Sequence, residues 1–355
     1  MIKIDSTYSI VVAESVVDVL STFIKEHYGN HKIIFLVDEN SEEHCLPIFN
    51  WSDNDALLTA EVLTVPAGEE SKCLTILERL AETLIELHAQ KNTIIINLGG
   101  GMITDLGGFL ASSYKRGIPF VNVPTSLLAM VDASVGGKTA VNIGNYKNQL
   151  GSFYNPVAVF CGLEFLSTLP LRELKSGYAE MIKHILIVNQ GKSINLKTLN
   201  VNELPTEELI GSSITIKNDI VIDDPKENGN RRKLNFGHTI GHAFESLSHS
   251  QNKPLLHGEA VAIGILIESW ISNEFGNLTD KDFEQISSVI RSTYDLYFIQ
   301  ESDYLNLLDL MQADKKNENL AINFTLLDTI NESSIDHFMS EDQIEKALIW
   351  YTSIL

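Results

Sequence analysis

The stretch Leu234–Ala260 reads LNFGHTIGHAFE, then a polar loop from Ser248 to Pro254, then LLHGEA. His238 and His242 are four apart, a spacing that sets both imidazoles on one face of a helix. Gly237 and Gly241 precede them and leave room for something to approach. His257 stands at the start of a second, apolar helical run. Neutral imidazole nitrogen suits zinc and its neighbours, so two or three such histidines converging on one spot suggest a divalent metal. Satisfied core or capping histidines would give the same spacing, and the pattern leaves both readings open. Thr239 stands where an HExxH motif has its glutamate, which argues against a zincin protease. Glu180 is the other unusual position. In GYAEMIKHILIV it lies among Ala179, Met181, Ile182, Ile185 and Leu186, on a helix that must bury one side. A carboxylate there needs a partner. Lys183 at i+3 can supply it, or Glu180 can be an oxygen ligand beside the histidines.

A second set of residues suits anions. Gly99-Gly100-Gly101 follows an apolar strand and opens a helix, so backbone amides can approach a pyrophosphate. The G-x-G-x-x-G pattern fails at Thr104, and a tight strand–helix turn explains the glycines equally well. Asp38, ending an earlier strand, can serve as the ribose partner that the following strand lacks. VGGKT at 135–139 resembles a phosphate loop, but Asp132 falls where the Walker motif has its first glycine. A carboxylate there would repel phosphate, which excludes ATP hydrolysis. Lys138, Lys147-Asn148 and Lys115-Arg116 are read in glycine-rich loops near the carboxyl edge of a sheet. In a chain this acidic their clustering suggests an anionic substrate, although any one of them alone reads as a solvated surface lysine or arginine.

The elements that hold these residues fall into two halves. Tyr8–Val12, Lys32–Val37, Ala60–Val65 and Thr93–Leu98 are short β-branched runs separated by helical patterns at Ser15–His27 and Ser71–His88. Strands apolar throughout and separated by helices indicate a parallel sheet covered on both faces. After Pro170, helical patterns follow at Leu171–Val188, Glu207–Val221, Asn235–Ser246, Gly258–Asn273 and Asp282–Tyr294, and β-rich runs nearly vanish. The expected architecture is an α/β, Rossmann-like domain at 1–168 and an all-α domain at 169–355.

The bulk numbers agree with this division. At 355 residues the chain is long enough for two cores. A net charge of −21 disfavours nucleic acid or an anionic membrane as partner. Cys45, Cys73 and Cys161 are scattered without C-x-x-C, so neither a disulfide framework nor a thiolate metal site is expected. No run approaches the roughly 20 apolar residues of a membrane span, and the N-terminal apolar run is too short for a signal peptide. A cytoplasmic enzyme is the expectation.

The blocks GGGMITDLGGF, YKRG, VPTSLLAMVDASVGGKTAVN, YKNQLGSFYNP, FLSTLPLRELKSGYAEMIKH, LNFGHTIGHAFE and LLHGEA, in this order, together resemble the 3-dehydroquinate synthase family. The resemblance runs from about Pro66 to Gly264, with a weaker echo at Asp314-Lys315-Lys316. It implies an N-terminal Rossmann-like domain, a helical C-terminal domain, NAD, a catalytic zinc (or cobalt), and a homodimer. Position by position it implies Glu180, His238 and His257 as metal ligands and His242 as the proton-transfer residue. Asp38, Asn40, Glu69, Lys72, Gly100, Gly101, Asp105, Thr125, Ser126 and Thr168 fall on NAD-contacting positions. Asp132, Lys138, Lys147, Asn148, Lys183, Lys217, Arg231 and Asn235 fall on substrate-contacting positions, with Lys315 or Lys316 reaching phosphate. Arg116 matches an arginine that enters the neighbouring subunit's site. Ser126, Asn97, Phe236 and Gly144-Asn145-Tyr146 depart from the family's usual residues, but none removes a charge or a ligand.

The implied reaction is the shikimate-pathway conversion of 3-deoxy-D-arabino-heptulosonate 7-phosphate to 3-dehydroquinate and phosphate, in aromatic amino acid biosynthesis. NAD would oxidise C5 transiently, acidifying the C6 hydrogen so that phosphate leaves; hydride then returns, the ring opens, and an aldol step closes the carbocycle. Zinc with three protein ligands can polarise the reacting hydroxyls. Lys138, Asn148 and Arg116 would hold phosphate, and Lys217, Arg231 and Asn235 the carboxylate. Sugar-phosphate cyclases such as 2-epi-5-epi-valiolone or 2-deoxy-scyllo-inosose synthase act on substrates without a carboxylate and would have little use for that trio. A metal-dependent polyol dehydrogenase of glycerol dehydrogenase type would have no use for the phosphate blocks.

Overall fold

The computed structural model describes residues 1–49, 57–144, 146–188, 196, 199–314 and 321–355; Lys315 and Lys316 lie outside them. The described residues divide into two compact units, Met1–Pro170 with Leu204–Asn218, and Leu171–Glu203 with Asp219–Leu355.

In the first unit, strands β1 (Ile2–Ile4), β2 (Ser9–Ala13), β3 (Lys32–Asp38), β4 (Glu61–Val65), β5 (Thr93–Gly99) and β6 (Phe120–Pro124) alternate with helices α1 (Val17–Tyr28), α2 (Glu39–His44), α3 (Leu74–Glu86) and α4 (Gly101–Ser113). A hairpin, β7 (Lys138–Ile143) and β8 (Tyr146–Phe153), precedes β9 (Ala158–Gly162). The main sheet runs β1-β2-β9-β6-β5-β3-β4, parallel except for the edge strand β1. Every residue of β5 and β6 is buried, as an α/β sheet covered on both faces requires. The chain steps from β3 to β4 on one side and then to β5 on the other. The carboxyl ends of β3 and β5 therefore form a topological switch point, where open α/β sheets bind ligands. Helix α4 reaches the sheet through Gly107, where a Cβ would stand 1.9 Å from the Asn97 Oδ1. Asn97 sits inside β5 with its amide N–H donating to the Asn122 side-chain oxygen on β6 at 2.9 Å, while its own carbonyl oxygen is buried without a hydrogen-bond partner among the described residues.

Lys138 and Lys147, expected in loops, lie instead on the two strands of the β7–β8 hairpin. Gly136 and Gly137, with φ of +105° and +64°, turn the chain into β7. The strand β8 is almost wholly exposed and polar, so cross-strand pairing makes it a strand where its own sequence gave no signal.

Helix α5 (Leu171–Ile187) opens the second unit. Helix α6 (Glu207–Asp223) follows and groups with the first unit as far as Asn218. Then come α7 (His238–Ser250), α8 (His257–Glu274), α9 (Asp280–Thr293) and α10 (Tyr304–Asp314). The strands β10 (Ile322–Thr329) and β11 (Glu332–Met339) and helix α11 (Glu341–Ser353) complete the unit. Helix α8 is buried on nearly every side, and α5, α7, α9 and α11 pack on it. This unit is helical as expected, with one addition. The β10–β11 hairpin turns at Ile330-Asn331, where Asn331 adopts φ +78°, the left-handed geometry asparagine tolerates. Among the described residues, no helix is long and apolar enough to cross a membrane.

Candidate active site

Three helices of the second unit bring Glu180, His238 and His257 together. Helix α5 supplies Glu180, while His238 and His257 are the first residues of α7 and α8. Their ligand atoms all lie within 4.8 Å of one another. The starts of these helices are fixed. Gly258 donates its N–H to the Ser176 hydroxyl at 3.0 Å, and a Cβ on Gly258 would stand 2.0 Å from the Ser176 carbonyl oxygen. This docks α8 one turn before Glu180. Arg172 on α5 forks onto Glu259 with two 2.7 Å hydrogen bonds, and Glu259 accepts the Leu256 N–H ahead of α8.

The donor set fits a divalent cation. Glu180 Oε1 faces His238 Nε2 at 3.4 Å and His257 Nε2 at 3.6 Å. It is buried, and no donor of ordinary hydrogen-bond geometry reaches it among the described residues. The other oxygen pairs with Lys183, so the expected ion pair is present and leaves Oε1 facing the two histidines. His238 Nδ1 lies 3.2 Å from the Phe236 carbonyl, and His257 Nδ1 lies 3.5 Å from Glu245 Oε2. A carbonyl can only accept, so His238 carries its proton on Nδ1 and turns the Nε2 lone pair toward Glu180. Outer partners of this kind orient metal-binding histidines, and two His with one Glu is the donor set of a catalytic zinc with an open position. His242, one turn further along α7, places its ring 5.3 Å from that of His238 and 5.9 Å from that of His257.

Without a cation the charges settle among themselves. Burial opposes the charge on Glu180, but Lys183 and the two imidazoles hold its carboxyl well below the usual range. Burial, then Lys183, push His238 well below its ordinary value. Burial also works against protonation of His257, yet the Glu180 and Glu245 carboxylates beside its ring raise it to about 10.

Just before α7, the turn Asn230–Asn235 carries Arg231 and Asn235. Arg231 is buried and donates through Nη1 to the Pro225 carbonyl at 2.8 Å. Asp224 holds this loop by accepting the N–H groups of Asn228, Gly229 and Arg231 at 3.0, 2.6 and 3.1 Å. Asn235 donates to Glu227 at 3.3 Å.

The first unit gathers its predicted residues in separate places. Gly100 caps α4 at the carboxyl end of β5, and a Cβ there would meet only Ser126 Oγ, at 3.6 Å. The Thr125 N–H donates to the Gly99 carbonyl at 2.9 Å, holding the end of β6 against that of β5. Asp38 ends β3 and caps α2 by accepting the Ser41 N–H at 2.7 Å, with Asn40 exposed beside it. An open glycine cradle at a helix N-terminus on the switch point fits a dinucleotide pyrophosphate. Lys72, buried, donates to Asp105 at 2.5 Å and Asn148 at 2.6 Å, with Glu69 at 3.8 Å. Asp132 lies in a π-helical turn, Ala129–Ala133, and its carboxylate accepts from Lys217 at 2.5 Å. The charge that argued against a nucleotide phosphate loop is thus neutralised. Arg116 is exposed, and it and Lys115 adopt left-handed φ of +64° and +48°. Thr168 is exposed at the end of the turn Leu163–Thr168.

Glu245 and Glu268, both buried around the histidines, were missed from sequence. Their signal was the one that exposed Glu180, an acid inside an apolar helical stretch.

This fold and donor set define a two-unit α/β-plus-helical protein with a candidate metal centre in its helical unit. A 2-deoxy-scyllo-inosose synthase solved with carbaglucose-6-phosphate, NAD+ and Co2+ superposes with a TM-score of 0.86 at 25% identity, over 98% of each chain. A family profile described as 3-dehydroquinate synthase N-terminal matches residues 62–176, and its C-terminal counterpart matches 177–317. The 3-dehydroquinate synthase of Parabacteroides distasonis is 42% identical over 325 residues, covering 90% of this chain and 91% of the relative. That of Campylobacter concisus is 39% identical, covering 81% and 83%. The chain belongs to the 3-dehydroquinate synthase family.

Proposed function

We propose that this chain converts 3-deoxy-D-arabino-heptulosonate 7-phosphate to 3-dehydroquinate and phosphate, in the cytoplasm, as a shikimate-pathway enzyme. The observation that carries the reading is the buried Glu180 oxygen facing two imidazole nitrogens whose far sides are anchored. Glu180, His238 and His257 would hold zinc or cobalt, and Gly100, Gly101, Asp38, Asn40, Glu69, Lys72, Asp105, Thr125, Ser126 and Thr168 would hold NAD. When bound, NAD supplies an acceptor that takes and returns hydride, and the metal supplies Lewis acidity toward substrate hydroxyls.

The remaining work falls to this chain's side chains. Lys183 keeps one Glu180 oxygen occupied, so that the other points at the histidines. His242 moves the hydroxyl proton, a task suited to imidazole, whose ordinary pKa lies nearest neutrality. Arg231, a planar fork fixed by its buried loop, and Asn235 and Lys217 hold the carboxylate. Lys138, Lys147, Asn148 and Arg116, with Lys315 or Lys316, hold phosphate and stabilise the charge that grows as it leaves. Asn148 gives its carbonyl oxygen to Lys72, which leaves the amide N–H side for a phosphate oxygen. Asp132 holds Lys217 in place until substrate arrives.

A homodimer accounts for two further features. Ile143, Tyr146, Leu150 and Phe153 are exposed on the β7–β8 hairpin, and Arg116 is held in strained backbone facing outward. In the dimer Arg116 reaches the neighbouring subunit's substrate.

The test incubates purified protein with the heptulosonate phosphate, NAD and zinc. Phosphate and dehydroquinate should appear one for one with no NADH accumulating. Stoichiometric NADH would mark a polyol dehydrogenase, and no turnover of this substrate would exclude the carboxylate-bearing class.

A further inference from the structure

Helix α7 begins without a cap of its own. Its N-cap, Gly237, has φ +80°, and a Cβ there would stand 2.7 Å from Ile265 Cγ1 and 3.2 Å from the Val261 carbonyl. The position is closed to the Ser, Thr, Asp or Asn whose side chain ordinarily accepts the N–H groups of a first helical turn. Those N–H groups are buried against α8, where water cannot serve them, and an unsatisfied buried donor is costly.

Glu268 meets the need from the other helix. Its side chain is fully buried; Oε2 accepts the Gly237 N–H at 2.6 Å and Oε1 accepts the Ile240 N–H at 3.1 Å. The residue lies on the same stripe of α8 as His257, Val261 and Gly264, spaced four, three and four. Gly264 brings the backbones together, since a Cβ there would stand 1.8 Å from the Gly237 carbonyl oxygen. One stripe of α8 therefore carries His257 at its start and, three turns on, the carboxylate that holds the residues flanking His238. The negative charge also faces the positive end of the α7 dipole, where His238 is the first residue.

We infer that Glu268 is a positioning residue of the metal centre: it replaces the cap that Gly237 cannot carry and sets His238 in register with His257. The inference rests on the metal reading of Glu180, His238 and His257. Replacing Glu268 with Gln keeps the shape but turns an amide N–H toward one of the two backbone donors. His238 should then lose its alignment while the helices stay packed.

The experiment titrates Co2+ into full-length metal-free protein, reading affinity by chelator competition and ligand geometry by the visible absorption bands. Wild type, Glu268→Gln and Glu268→Ala are compared with Leu348→Ala, a buried apolar residue of α11, as a control for general destabilisation. Glu268→Gln should weaken Co2+ binding by roughly tenfold, the effect typical of an outer partner of a metal-bound histidine, and should shift the bands. Leu348→Ala should lower the melting temperature with affinity and bands unchanged. A Glu268→Gln protein with wild-type affinity and spectrum overturns the inference, as does a Leu348→Ala protein that loses as much affinity for the same loss of melting temperature. If Glu268→Ala does not fold, the Gln variant decides. Failure of the wild type itself to bind Co2+ would instead remove the metal reading, and the inference with it.

Discussion

Replacing Lys72 with methionine tests how the first unit holds its polar cluster. Lys72 is 4% exposed, and its ammonium joins Asp105, Asn148 and Glu69. Methionine keeps much of the volume and removes the charge, leaving Asp105 facing an apolar side chain. Breaking a buried pair from one side costs about 3–5 kcal/mol, because the remaining charge loses its partner. The Asp105 side chain is 18% exposed, which favours the lower end, about 3 kcal/mol. For a domain of this size that corresponds to a drop of roughly 6–12 °C in melting temperature. Burial raises the Asp105 carboxyl, and Lys72 now opposes that rise. Without Lys72 the carboxyl climbs further, so the variant's deficit should shrink as pH falls and Asp105 protonates. Asp105→Asn alone should also destabilise, but the double variant should cost less than the two singles added, by about 2 kcal/mol. Urea unfolding of the four proteins at pH 7.5 and pH 5 measures this. Strict additivity, or a Lys72→Met loss under about 1 kcal/mol, would refute the claim that the cluster is one coupled unit.

Glu180→Gln and His257→Ala should each lower zinc affinity by a hundredfold or more, on the order of the upper range for outer partners at least, with secondary structure retained by circular dichroism. Zinc retained at full stoichiometry in both after dialysis would show that the ligands are others. Arg231→Ala should raise the substrate KM by roughly ten- to hundredfold, the worth of one or two charge-assisted hydrogen bonds, and leave NAD affinity unchanged; an unchanged KM speaks against the carboxylate role. In the metal-free protein His257 is raised to about 10, so its stabilising contribution is fully present below pH 6.5 and lost as pH rises through about 10. Metal needs the neutral ring, so near pH 7.5 each ion bound should release about one proton, and affinity should climb with pH. Calorimetry in two buffers of different ionisation enthalpy reads the proton directly, and identical heats in both would count against it.

Much of this protein is legible along the chain. The all-apolar runs of β3 and β5 announce a covered parallel sheet, and the four-residue spacing of His238 and His242 announces one helix face, because backbone geometry turns local periodicity into exposure. The acid inside GYAEMIKH marks Glu180 for the same reason. Other features came only with packing. Lys138 and Lys147 lie on strands because β7 and β8 pair with each other, not because either segment favours extension. Spacing cannot say which histidines meet Glu180; that depends on where α7 and α8 begin, fixed by contacts such as Gly258 on Ser176 and Gly264 on Gly237. Nor can it match the Gly237 amide with a carboxylate 31 residues away. A helix's own hydrogen bonds reach four residues, so its faces are written locally, whereas the partner that satisfies a buried charge or an uncapped end is set by whichever segment the core brings alongside.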